Sequence, residues 1–290
     1  MKLKVIVEKP VELRKCLSFL VSLRKMCVFR FTEHQLVIIS SALNEPTVWC
    51  KLDSSVFQLY EVDSTRDKVI PFEINIEPLC QVLRNYEKSN VTSNLVIRLQ
   101  RRPSNGMEVK NKAVASLALF YTEQISMSSN VSHSFNVPVR LLKMDSDLRI
   151  VEPAMDTMKL AMKLPMRIAP LLRRLDRYRT SDLVTITGNQ LGQLKFVIEE
   201  EQRKIVVQWK EKLDVLPDQD ESPPQSWDSS VMRPVSLKVK LKHWNVGSHL
   251  MDMCDAMSLI VHAQGGILHC YIDMDQKCDI AYYLNGYQTD

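Results

Sequence analysis

The feature that most constrains the fold of this chain is a short unit written twice along it. Met1-Lys2-Leu3 opens an extended run, Val5-Ile6-Val7, and Pro10 leads into an amphipathic stretch. At Met158-Lys159-Leu160 the pattern returns, with Leu160-Ala161-Met162, Pro165 and a second amphipathic stretch from Arg167 to Tyr178. Three matching residues are weak evidence alone, but the runs downstream of each opening strengthen the match. Cys27-Val-Phe-Arg-Phe31, Leu36-Val-Ile-Ile39 and Thr47-Val-Trp-Cys50 come after the first. Leu183-Val-Thr-Ile186, Leu194-Lys-Phe-Val-Ile198 and Lys204-Ile-Val-Val-Gln-Trp209 come after the second. Such runs of branched and aromatic residues read as strands. A duplicated strand–helix–strand–strand–strand unit points to two similar α+β domains, and internal repetition is weighed before anything else.

The chain has 290 residues, long for one core and comfortable for two domains of roughly 140 residues each. The expected division is a first domain over 1–138, a connector over 139–153 and a second domain over 154–290. Between the halves VRLLKMDSDLRIVEP, with Pro138 and Pro153 at its margins, suits an extended connector better than a helix or central strand. Periodicity predicts helices over Val11–Leu23, Glu77–Tyr86, Arg167–Tyr178 and around Trp244–Met253. Pro170 fits the first turn of the third and leaves Arg167 just outside it. Strands are expected around 56–60 and over Lys68–Ile74, Leu95–Leu99, Ala113–Phe120, Ser134–Val137, Val235–Leu241, 257–262, 267–273 and 278–284. VLPDQDESPPQSWDSS, over 215–230, reads as a solvated loop.

No apolar run approaches the roughly 18 residues needed to span a bilayer, and Glu8, Glu12, Arg14 and Lys15 interrupt any secretory pattern at the start. Seven cysteines, mostly inside apolar runs, read as reduced, buried thiols of a cytosolic or nuclear protein. Seven glycines are too few for phosphate-cradling loops. Catalytic constellations do not emerge. The histidines lack HExxH or HxH spacing, and the cysteines form no CxxC pair. His262, His269, Cys270 and Cys278 alternate onto different strand faces, which argues against a metal site. The reading is of a non-enzyme without metal or cofactor.

The sharpest local signal is cationic. Net charge is only +4, so its distribution matters more than its sum. Arg173, Arg174, Arg177 and Arg179 crowd the third helix, with Arg167 before them. Arg14 and Lys15 lie on the first, Arg84 and Lys88 on the second, and Lys240 and Lys242 lead into the fourth. Any one such helix can simply be a solvated face. Four at equivalent points of a repeated unit make a stripe that neutralises a phosphate backbone without reading bases. No aromatic residues interleave with the cations as on a single-strand stacking platform, so duplex is the better reading.

Several separated blocks occur in one order: MKLKVIV, SLRK-MCVFRF, LVIIS, VWC and VFQLY, then SFNVPVRLLKMDSDLRIVEP and MKLPMRIAPLLRRLDRY. They resemble the fungal Hus-one/Mec-three family, the third subunit of the heterotrimeric nine-one-one checkpoint clamp. The resemblance covers about residues 1–60 and 133–180 well, and from 181 onward it is one of pattern rather than of residues. It implies a DNA-clamp (PCNA-like) fold, with two similar domains of outer antiparallel sheets and inner helices. It also implies a nuclear, non-catalytic protein that joins two other clamp subunits, is placed by an RFC-type loader and encircles double-stranded DNA without sequence preference. The ring would serve as a platform for checkpoint kinase activation and repair. Under it the cations of the four helices, Arg179 apart, face the channel, and Leu141, Leu142, Leu148 and Ile150 of the connector lie where sister clamps capture partner peptides. Subunits of such rings meet by edge strands, here the strands near 113–120 and 203–209. A homotrimeric replication-type clamp and a protein-only scaffold stay open as alternatives.

Overall fold

The computed structural model describes residues 1–8, 10–65, 68–102, 114–155, 157–178, 181–217, 233–254, 256–272 and 275–287. The duplication runs deeper than the sequence suggests, because a strand–helix–strand–strand–strand module occurs four times. The first is β1 (Lys2–Val7), α1 (Val11–Leu23), β2 (Met26–Phe31), β3 (Gln35–Ser40) and β4 (Thr47–Asp53). After a short strand, β5 (Leu59–Asp63), come β6 (Ile70–Asn75), α2 (Ile76–Lys88), β7 (Leu95–Arg102), β8 (Val114–Ser126) and β9 (Ser129–Leu141). A short helix, α3 (Met144–Leu148), precedes the third module: β10 (Met158–Pro165), α4 (Ala169–Arg174), β11 (Leu183–Gly188), β12 (Leu194–Glu200) and β13 (Arg203–Gln208). β14 (Asp214–Val215) is again the extra strand. The fourth module is β15 (Val235–Lys240), α5 (Leu241–Ser248), β16 (Ala256–His262), β17 (Gly265–Tyr271) and β18 (Cys278–Asn285). The extra strands are equivalent too: β5 pairs with β1 and β14 with β10.

The chain divides into two compact units, one of Met1–Ser40, Trp49–Val151 and Asp273–Cys278, the other of Ser41–Val48, Glu152–Ile272 and Asp279–Asp290. In the first unit the strands succeed one another in the order β4-β3-β2-β6-β9-β8-β7-β1-β5. In the second, β14-β10-β16-β17-β18 form one series and β13-β12-β11-β15 another. The pairings given for these strands are antiparallel, so the fold is α+β. Alternation sets which face is buried. β1 hides Leu3, Val5 and Val7, and β16 hides Met257, Leu259 and Val261, while their neighbours are more exposed. Phe29, Phe31 and Phe72 bring their rings together within the first core.

Each helix has a local reason to form. α1 buries Leu13, Cys16, Leu17, Phe19 and Leu20 at the spacing of one face. α2 buries Leu79, Cys80, Val82, Leu83 and Tyr86, and the Asn75 side chain caps it by accepting from the Glu77 amide; such a cap contributes about 1 kcal/mol. α1 packs on α2, and α4 on α5. Pro170 sits in the first turn of α4, and Arg167 lies in a 3-10 turn, Met166–Ile168, ahead of it. A further 3-10 turn, Leu175–Arg177, ends that segment. At the α5 face Gly247 is required by close approach: a Cβ there would stand 2.7 Å from the Tyr282 ring.

Several expectations are corrected. Residues 139–153 are not an extended connector. Val139, Arg140 and Leu141 finish β9 and pair with β6, and Met144–Leu148 is helical. The strands expected over 113–120 and 134–137 are the inner halves of a hairpin twice that length, paired from Ser116↔Pro138 to Ser126↔Ser129. β8 lies between β7 and β9, so the strand near 113–120 is internal, not an edge. The open edge belongs to β9: among the described residues Ser129–Pro138 pairs on one side only. β13 does end its series, as the strand near 203–209 was expected to. The fourth helix starts at Leu241 rather than Trp244, so Lys242 lies inside it and Lys240 occupies the position just before its first turn, without a side-chain cap. Arg179 and residues 218–230 of the polar loop lie outside the described residues, as do Ser222, Ser226 and Ser229.

Candidate functional site

The predicted cations sit on the helices as the periodicity requires, but their surroundings divide them. Five are held. Arg14 Nε lies 2.5 Å from the Glu87 carboxylate across the α1–α2 contact. Arg167 pairs with Glu211 at 2.6 Å and lies over the Trp209 ring. Arg173 pairs with Asp252. Lys242 stands 3.5 Å from Glu45, and Lys240 lies 5.6 Å from the Tyr287 ring centroid. The other five, Lys15, Arg84, Lys88, Arg174 and Arg177, have no ion-pair partner among the described residues, and all but the half-buried Lys15 are exposed.

Charge is unevenly spread over the four helices. Residues 166–178 carry four arginines against Asp176 alone, whereas Arg84 and Lys88 of α2 are matched by Glu77 and Glu87. The positive excess therefore concentrates on the segment around α4, with a smaller one on α1. Exposed ion pairs such as Arg173 with Asp252 contribute only about 0–1 kcal/mol, so a polyanion could displace the carboxylate at little cost. A surface of this kind neutralises phosphates.

The candidate partner-binding leucines fare differently from one another. Leu142 is buried and Leu141 half-buried at the end of β9. Leu148 is 65% exposed, and Ile150 is half-buried. What fixes this turn is polar. The Arg30 guanidinium donates to Asp147 Oδ1 from Nε at 3.0 Å and Nη2 at 2.8 Å, and to the carbonyls of Asp147 and Ile150. Nothing in the local sequence links Arg30 to Asp147; the signal was an outward-facing arginine on a strand, legible only once β2 and α3 are placed.

The described residues hold no cluster of three or more histidine, cysteine, aspartate or glutamate side chains fit for a metal. Their cysteines are all buried and reduced. Burial pushes the Cys27 thiol up to about 12 and the Cys80 thiol to about 11, away from nucleophilic use. No helix among the described residues is long and apolar enough to cross a membrane.

Comparison with known proteins joins this geometry to a lineage. The profile of the family described as Hus1-like protein matches residues 1–288. The DNA damage checkpoint control protein MEC3 of Eremothecium gossypii is 28% identical over an alignment of 360 residues that covers 94% of this chain and 93% of that protein. MEC3 of Saccharomyces cerevisiae is 28% identical, covering 65% of this chain and 56% of its own length. The checkpoint protein hus1 of Schizosaccharomyces pombe is 26% identical over 56% of this chain and 53% of its own.

Proposed function

This chain belongs to the Hus1-like family, and we propose that it is a non-catalytic subunit of a DNA-damage checkpoint sliding clamp that encircles duplex DNA in the nucleus. On this reading it joins two unlike clamp subunits, is opened and placed by an RFC-type loader, and serves as a platform for checkpoint kinase activation and repair. The observation that carries the DNA contact is the set of five helix cations without ion-pair partners: Lys15, Arg84, Lys88, Arg174 and Arg177. The relatives' names supply the checkpoint role. The open strand edges of β9 and β13 support assembly, because an unpaired edge is stabilised by a neighbouring strand.

The mechanism is topological. Closure around the duplex provides retention, and the helix cations provide weak, salt-sensitive contacts that let the ring slide. Base-specific contacts would pin it, and none is needed.

The test is the salt dependence of the assembled particle on duplex. Each phosphate contact contributes about 0.9 to the slope of log affinity against log salt. Replacing Lys15, Arg84 and Arg177 together by Gln is expected to reduce that slope by about 2.7, with assembly intact. Retention on closed circular duplex should persist at salt that strips the same particle from linear duplex. An unchanged slope would remove these residues from the DNA interface, and equal retention on circles and linear duplex would overturn encirclement.

A further inference from the structure

Cys16 and Cys278, near opposite ends of the chain, meet inside the first unit. Their Sγ atoms stand 3.4 Å apart across 262 residues of sequence, and either thiol can donate its S–H to the other sulfur. Cys16 lies on the buried face of α1 with Leu13, Leu17 and Leu20. Cys278 opens β18 and ends the segment Asp273–Cys278, which belongs to the first unit. Both residues are 0% exposed.

Burial alone would make the pair two small apolar members of a core, and a buried thiol is ordinarily inert. The sulfur–sulfur contact adds a second thiol already in place for the first. Groups held in contact react without the cost of being brought together. A disulfide bond of about 2.05 Å requires the sulfurs to close by about 1.4 Å, a movement of side-chain size. Full burial also selects the oxidant. It denies bulky disulfides the approach that thiol–disulfide exchange requires, whereas hydrogen peroxide is little larger than water.

We propose that Cys16 and Cys278 form an oxidative modification site, reduced at rest and closed by hydrogen peroxide into a disulfide that staples the far end of the chain to its first helix. One sulfur, as thiolate, attacks a peroxide oxygen. The S–O bond forms, the O–O bond breaks, and the departing hydroxide takes a proton to become water, leaving a sulfenic acid. The second sulfur then attacks the first. The S–S bond forms, the S–O bond breaks, and the released hydroxide takes the second thiol proton as another water. Two electrons pass from the sulfurs to the peroxide oxygens. Because a buried thiol reacts slowly, the pair stays reduced while peroxide is scarce. Once the sulfenic acid exists, the neighbouring sulfur traps it before further oxidation.

The disulfide makes covalent an attachment that noncovalent contacts hold in the reduced chain, among them the Asp53 amide bonded to the Lys277 carbonyl. It also closes almost the whole chain into one loop, and long loops lose the most unfolded-state entropy when closed. The geometry carries this whether or not the chain is a clamp subunit.

The experiment treats the purified, reduced full chain with hydrogen peroxide, caps the remaining thiols with N-ethylmaleimide in denaturant, and maps unreduced peptides by mass spectrometry. The expected result is the Cys16 and Cys278 peptides joined with the loss of two hydrogens, and separated again by dithiothreitol. The thermal midpoint should rise by about 5–15 °C on oxidation. Cys16→Ala and Cys278→Ala should each abolish the joined peptide and the rise, while Cys80→Ala keeps both. Because the parent chain itself is mapped, a variant that folds poorly leaves the result intact. Peroxide that oxidises other thiols and leaves these two unjoined overturns the proposal, as does a pair that joins only in urea. A rise that survives Cys16→Ala overturns the staple, and an equal yield from glutathione disulfide overturns the choice of oxidant.

Discussion

Arg30 should be the anchor of the turn after β9, and its removal tests that claim sharply. α3 has five residues, far below the roughly 12–15 at which an isolated helix becomes even marginal in water. Its Leu148 is 65% exposed and contributes little packing. The contact that does grip it is the Arg30 guanidinium, with two hydrogen bonds to the Asp147 carboxylate and two to backbone carbonyls, over the Trp49 ring at 5.7 Å. The side chains of this pair are only 18% and 16% exposed. Breaking a fully buried pair from one side costs about 3–5 kcal/mol; the residual exposure reduces that to about 2–3 kcal/mol for Arg30→Ala. Asp147→Ala should cost about 1–2 kcal/mol, because the guanidinium keeps its two carbonyls. The double variant should cost about as much as Arg30→Ala alone, a coupling of about 1–2 kcal/mol. Urea unfolding measures the totals. Hydrogen exchange of the Ser146, Asp147 and Ile150 amides, bonded to the Lys143 and Asp147 carbonyls, reads the turn itself. If those amides exchange no faster in Arg30→Ala, or the coupling is below about 0.5 kcal/mol, the ion pair does not hold the turn.

Two further outcomes come from close packing and from burial. Gly247→Val would drive a side chain into Tyr282 and Leu268, and overpacking of this kind costs about 1–3 kcal/mol; thermal unfolding should show the loss, and a variant as stable as the parent would mean that the Tyr282 ring can step aside. The Cys27 thiol, held protonated by desolvation up to about 12 against an ordinary value of 9, should resist alkylation at pH 8 until the protein unfolds. Because the folded state keeps that proton, stability is fully present below pH 9 and falls by about 1.4 kcal/mol per pH unit as pH rises from 9 toward 12. Replacing Cys27 by Ala should flatten that slope in urea titrations, and an unchanged slope would refute the assignment.

Much of the architecture was legible because burial writes a period into the chain. β1 and β16 alternate strictly, and α1 and α2 repeat apolar residues every three to four positions, so element type followed from spacing. The twofold repeat was visible from strand content; the fourfold one was not. The second and fourth modules differ in helix length and loop, and their equivalence appears in pairing, as in β5 on β1 and β14 on β10. The outer half of the β8–β9 hairpin was invisible for a different reason. Ser129, Asn130, Ser132 and Ser134 give β9 no continuous apolar face there, and backbone pairing with the His133 contacts to Glu123 and Tyr121 holds it. The turn at 144–148 has too short an apolar pattern to read as a helix, and its contact to Arg30 comes from a residue distant in sequence.

For the site, the split was between which residues are cationic and which of those cations are available. The sequence places Arg14 and Lys15 side by side and cannot say that Glu87 occupies the first and not the second. Nor can local pattern tell an internal strand from an edge, since both alternate alike. That is why the strand near 113–120 looked as fit for a neighbour as β9 does. Once the edges are known, composition becomes informative again. Neither Ser129–Leu141 nor Arg203–Gln208 contains a carboxylate, in a chain whose acids and bases are otherwise nearly balanced at 34 and 38. Depletion along these two strands leaves neither of them a carboxylate to offer a cationic neighbour, so what each open edge presents is unpaired backbone.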